Sequence, residues 1–199
     1  MSIIFGDNVK GKVDLTGYNF QYLFNNVTTL LSISENFLPA TVLSDNCYAY
    51  MFYGCTSLVT APELPATVLG GLCYQSMFYN CSNLNSKIVL PAITLQNQSY
   101  MMTFNNCKQI NNITLLTTDA PSKKTMRDCF KGVASEGTII LNKNIEWDPE
   151  IYRNGKTDKV EGSVTLNETI TWGFPGTPET WPIKYCDPDD ITDVRDQPW

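Results

Sequence analysis

Phenylalanine recurs along this chain as Phe24, Phe52, Phe78, Phe104 and Phe130, at spacings of 28, 26, 26 and 26 residues. Three residues after each comes Val27, Cys55, Cys81, Cys107 or Val133. Six after come Leu30, Leu58, Leu84 and Ile110, and Glu136 breaks the pattern in the fifth copy. Pro39, Pro65 and Pro91 keep the same frame, each within Leu-Pro-Ala, the last two at 64–66 and 90–92. So do Leu43, Leu69 and Leu95, then Cys47 and Cys73 with Ser99 and Thr125, and Tyr48, Tyr74 and Tyr100 with Met126. A unit of this size has one apolar face that it cannot bury alone, and stacking successive units joins those faces into one core. The first copy is two residues longer and lacks the Cys, as terminal copies commonly differ.

Two textures alternate within a unit. In ATVLGGLCYQSMFYNC (66–81) the apolar residues Leu69, Leu72, Cys73, Met77 and Phe78 fall at intervals that predict a short helix or helical turns. Thr41, Thr67 and Thr94 stand where a helix cap would be. The stretches SLVTAPEL (57–64), NLNSKIVL (83–90) and QINNITLL (109–116) predict one short strand per unit, aligned into a parallel sheet. Pro62 weakens the strand of its own copy. The expected fold is thus an α/β repeat solenoid, with parallel strands on one face, short helices on the other and a C-terminal cap.

Composition narrows the chemistry. The chain has 199 residues, no His, seven Cys and a net charge of −6. Without His there is no His-based triad and no His metal ligand. The acidic balance and the lack of a Lys/Arg cluster argue against nucleic acid as a partner. No apolar run reaches the roughly 18–20 residues of a membrane-spanning helix, so no membrane insertion is expected. The start MSIIFGDNVKGK does not read as a secretory signal. Residues 17–118 hold only Glu35, Asp45, Glu63, Lys87 and Lys108 as charges, whereas the last fourteen residues hold five Asp against one Arg.

The phrase YMFYGCTSLVTAPELPATVL (50–69), with the weaker copies SMFYNCSNLNSKIVLPAITL (76–95) and TFNNCKQINNITLL (103–116), resembles the BspA-like leucine-rich repeat family, in the variant found in gut Bacteroidetes and their phages. DCFKGVASEGTIIL (128–141) resembles the closing unit of such arrays. The resemblance implies a right-handed solenoid over about residues 17–141, and a role in adhesion, surface display or virion structure rather than catalysis. The chain then divides into an N-terminal cap (1–16), a leucine-rich-repeat solenoid of about five units (17–141), a C-terminal cap (142–185) and an acidic tail (186–199).

The periodic Cys read as buried columns of small apolar groups. Neighbours one unit apart could come close enough for a disulfide, but side chains that point the same way disfavour its geometry. CxxC spacing is absent, so no metal site is expected, nor any cofactor or catalytic residue. The polar column Ser34, Thr60, Ser86, Asn112 and Thr138 is the candidate ligand-facing surface, with Thr114 two residues beyond Asn112 and pointing the same way. Its bland counterpart is a solvated ladder of hydroxyls and amides. Replacing Thr60, Ser86 and Asn112 together by Lys is expected to abolish partner binding and leave folding intact. Eighteen Asn and Tyr-rich unit edges make an uncharged polar surface suited to carbohydrate or tight protein packing. Trp147, Trp172 and Trp181 are expected to cover the open end of the stack. Trp199, ending the tail, could anchor in a neighbour's pocket. The expected function is a non-catalytic structural or adhesion component, a phage head or tail decoration or fibre. Its partners would be other virion proteins, a host surface protein or glycan, or further copies of itself. The alternative is an adhesin domain on a bacterial cell surface.

Overall fold

The computed structural model describes residues 19–119, 125–145 and 181–187. The expected N-terminal cap (1–16), Trp147 and Trp172 of the expected C-terminal cap, and Trp199 lie outside the described residues. The described residues form a sheet of four parallel strands with almost no helix, a repeat-like arrangement. The strands are β1 (Ile88–Leu90), β2 (Asn112–Leu115), β3 (Thr138–Asn142) and β4 (Ile183–Cys186), adjacent in chain order. Ile88, Ile113, Ile139 and Ile183 share one register position, and Leu90, Leu115, Leu141 and Tyr185 another. The isoleucines and leucines of these two rows face the core. The stretch 57–64, expected as a strand, makes only an isolated bridge, Thr60 to Ser32. Pro62 and Pro65 follow there, and a residue without an N–H cannot continue a ladder.

The short helices expected opposite the sheet are not formed. Glu35–Phe37, a single 3-10 turn, is the one helical element among the described residues. In its place each unit runs as a series of overlapping turns bonded to the next unit. In the second unit the N–H groups of Asn46, Tyr48, Tyr50, Phe52 and Gly54 donate to the carbonyls of Gly71, Cys73, Gln75, Met77 and Tyr79. The alternate N–H groups, of Cys47, Ala49, Met51, Tyr53 and Cys55, close turns onto the carbonyl three residues back. The same alternation recurs over 72–81 and 99–107. Every second turn carries a left-handed residue in third place: Asn46 (φ 59°), Tyr50 (56°) and Gly54 (71°) in this unit. That is the type II requirement.

Spacing explains why turns replace helix. Parallel strands advance about 4.8 Å per unit, whereas packed helices sit about 8–10 Å apart. A ribbon of turns hydrogen-bonded to its neighbour keeps both sides of the unit in step. The phenylalanine rings record that step: Phe24–Phe52, Phe52–Phe78, Phe78–Phe104 and Phe104–Phe130 stack at 5.3, 5.2, 5.3 and 5.7 Å, within 10° of parallel. Tyr48, Tyr74 and Tyr100 form a second buried row. Between units the backbones come so close that a Cβ on Gly70 would lie 2.3 Å from the Ser44 carbonyl carbon.

The cysteines lie in this core as free thiols. Cys47, Cys55, Cys73, Cys81, Cys107 and Cys129 are buried, and Cys186 is half-buried. They do more than fill space: the Sγ–H groups of Cys55, Cys81 and Cys107 donate to the carbonyls of Phe24, Phe52 and Phe78, at 3.1, 3.1 and 3.0 Å. At the far end Trp181 is buried, and its Nε1–H donates to the Ala134 carbonyl at 3.1 Å. Its ring lies over Gly137, where a Cβ would come within 2.5 Å of it.

Candidate binding site

The polar column divides on inspection of the register. Ile88 pairs with Ile113, an offset of 25 rather than 26, so Val89 and not Ile88 stands beside Thr114. Unit three carries three residues, Asn85, Ser86 and Lys87, between Leu84 and Ile88; unit four carries two, Asn111 and Asn112, between Ile110 and Ile113. A one-residue slip turns every side chain to the other face of a strand. Ile88 therefore faces the core, and Thr114 points away from it. Thr114 is nonetheless fully buried at 0% exposure, and its hydroxyl has no hydrogen-bond partner. It does not belong to a solvent-facing row. Asn112 and Thr138 do share a register position and are half-buried. Ser34 is exposed at the start of the single helical turn.

Ser86 has a structural task. Its Oγ accepts the N–H of Ala61 at 2.8 Å, where the ladder between units two and three gives out. The Asn85 N–H still reaches the Val59 carbonyl, and one residue later the hydroxyl replaces a carbonyl acceptor. The expected triple substitution by Lys would remove this contact, so it is not neutral to folding.

Where the ladder stops, a concavity of about 790 Å³ opens. Thr60 and Ser86 line it, with Glu35, Glu63 and Lys87 at its charged points and Pro62, Pro65 and Pro91 in its walls. It brings together two residues of the predicted column, and the prolines that interrupt strand pairing are the reason it exists.

A second surface was not among the predicted residues. On the turn side Tyr22 and Tyr50 stack at 4.9 Å and 8°, and Tyr53 and Tyr79 at 5.0 Å and 4°. Tyr50 and Tyr53 join the two pairs at 6.0 Å and a tilt of 47°. Tyr22 is exposed, and the other three are half-buried. Partial burial, with Tyr22 alongside, raises the Tyr50 phenol above its ordinary value, so it stays neutral at physiological pH. The repeat frame would have found this surface, since both pairs are columns of it.

The described cysteines carry no activated thiol. Burial pushes the Cys47 thiol up to about 11, against smaller lowering by hydrogen bonds from Ser44, and it raises the other buried thiols too. At Cys186 the half-burial and then Asp187 act in the same direction. Among the described residues no three Cys, Asp or Glu side chains gather as a metal set. No helix among them is long and apolar enough to cross a membrane. Comparison with known proteins finds no matching family model, no similar curated protein and no similar solved structure.

Proposed function

We propose that the chain is a short leucine-rich-repeat-like solenoid that works by binding, as a non-catalytic structural or adhesion component of a phage virion. The observation that carries this reading is the tyrosine surface on the turn side. Its backbone is held by two interleaved sets of hydrogen bonds, so its side chains are presented in fixed order before any partner arrives. Preorganisation of that kind lowers the cost of association. The raised thiol pKa values support the same side of the argument, because a buried neutral thiol is a poor nucleophile. The virion assignment rests on the resemblance of 50–69, 76–95 and 103–116 to repeats found in gut Bacteroidetes and their phages.

Mass spectrometry of purified virions from a phage that encodes the chain tests the assignment. The protein is expected at a stoichiometry fixed relative to the major capsid or tail protein. Its absence from virions, together with its recovery in the envelope fraction of a bacterium encoding it, moves it to the bacterial surface as an adhesin domain.

A further inference from the structure

We propose that Tyr22, Tyr50, Tyr53 and Tyr79 form a binding site for an uncharged polysaccharide; this rests on the adhesion reading above and specifies its ligand. The first reason is that the fold does not ask for these rings. Tyr22 and Tyr50 hold left-handed backbone, at φ 62° and 56°, a conformation that bulky side chains adopt at a cost. Ser76 and Met102 occupy the same position in the next units with the same sign of φ, so an aromatic ring there is not a requirement of the turn. Asn25 and Asn105 likewise stand in the column of Tyr53 and Tyr79.

The second reason is charge. In the turn ribbons of these units, residues 19–26, 44–55 and 70–81, the one charged side chain is Asp45, whose Oδ1 accepts the Gly71 N–H at 2.6 Å. An anionic polymer would meet no countercharge there, and a cationic one only Asp45. What the segments offer instead are ring surfaces and neutral hydrogen-bonding groups: the phenols and, in the same ribbons, Gln21, Asn25, Gln75 and Asn80. A sugar presents apolar C–H faces and a rim of hydroxyls, which matches an aromatic body with a polar tip. The tilt of 47° between Tyr50 and Tyr53 sets the two stacked pairs at an angle, giving a corner into which one sugar ring can rest. The third reason is order: consecutive units repeat the same ring at 4.9–5.0 Å, so an extended polymer crossing the units meets the same chemistry twice.

Native gel electrophoresis in gels containing hydroxyethylcellulose, yeast mannan or a galactan tests this, with alginate and heparin gels in parallel. The wild-type chain is expected to be retarded by at least one neutral polymer, and equally so in about 0.5 M NaCl, where charge contacts are screened. The variant Tyr50→Ser/Tyr53→Asn/Tyr79→Asn uses residues that the same columns already carry, so it keeps the fold, checked by circular dichroism. Its binding should be at least roughly tenfold weaker, as loss of aromatic contacts worth about 1.4 kcal/mol requires. No retardation in any neutral gel, retardation that the variant retains, or retardation by the anionic polymers alone overturns the proposal. Labelled protein on intact gut Bacteroidetes cells separates the two readings. Binding lost after periodate treatment of the cells supports a glycan ligand. Binding that survives periodate and is lost after protease keeps adhesion and overturns the polysaccharide.

Discussion

Substitutions at Asn80 separate a ribbon of turns from a helix by the sign of their effect. Asn80 is exposed, its N–H donates to the Asn105 carbonyl at 2.8 Å, and its φ is 61°. In an exposed helix Ala is the best residue and Gly costs about 1 kcal/mol relative to it, so Asn80→Ala would stabilise and Asn80→Gly destabilise. In left-handed backbone the order reverses. A residue with a Cβ and no local polar compensation costs roughly 1–2 kcal/mol there, whereas Gly costs nothing sterically. Asn tolerates the region better than Ala, so Asn80→Ala should lose about 1 kcal/mol and Asn80→Gly should lie near zero. Neither change touches the bond to Asn105, because that bond is made by backbone. For a chain of this length the loss lowers Tm by about 2–4 °C. Gly54→Ala gives the harsher case: φ is 71° and the new Cβ would sit 2.2 Å from the Asn26 Oδ1. Thermal melts followed by circular dichroism, with urea titrations for ΔΔG, are the assay. A higher Tm for Asn80→Ala than for Asn80→Gly would refute the turn reading of this side.

Three further outcomes are expected. Phe78→Ala removes a ring stacked on both sides, at 5.2 and 5.3 Å, and should cost about 3–5 kcal/mol in urea titrations, more than Phe24→Ala at the half-buried end of the row. Ser86→Ala leaves the Ala61 N–H without its acceptor and should cost about 1–3 kcal/mol, whereas Thr60→Ala, which leaves its backbone bridge to Ser32 in place, should stay within about 0.5 kcal/mol. The buried thiols have folded pKa values raised above their unfolded ones, so their contribution is complete below the unfolded pKa, near 9, and is lost as pH rises toward the folded value, about 11 for Cys47. Stability should therefore fall between pH 9 and 11 at up to about 1.4 kcal/mol per pH unit per thiol. A thiol reagent at pH 8 should label Cys186 well before the other six, and equal labelling of all seven in the folded protein would count against their burial.

The repeat was legible because it is written in large side chains that must meet their equivalents one unit away. The strands β1 and β2 were legible for the same reason, since Ile88, Leu90, Ile113 and Leu115 alternate toward the core. The helical expectation failed on a narrower point. Cys47, Met51 and Cys55, like Tyr48 and Phe52, repeat every four residues, and over eight residues that spacing is close to the 3.6 of a helix. The deciding signal stood in one column: Asn26, Gly54, Asn80, Asn106 and Gly132, each two residues after its Phe, are all of the types that accept left-handed backbone, and all have φ between 58° and 75°. A helix interior gives no reason for Asn or Gly at every turn of the frame.

The polar column was less legible because its facing depends on a slip that the period conceals. Unit three has one residue more than unit four between its leucine-type residue and its strand, and one fewer between Leu90 and Tyr100 than lies between Leu115 and Met126. The two cancel, so Phe78, Phe104 and Phe130 stay 26 apart while β1 and β2 pair at 25. Counting by 26 therefore placed Ile88 beside Thr114 and made one open polar row out of residues on both faces. On the other side of unit three, toward unit two, the Ser86 hydroxyl takes the Ala61 N–H and the prolines beyond it end the pairing, leaving the concavity lined by Thr60, Glu63 and Lys87. On the turn side no slip occurs, since the ring rows keep the frame from Phe24 to Phe130. The tyrosine surface is consequently the one that the repeat presents in register from unit to unit, which is the property an extended partner can use.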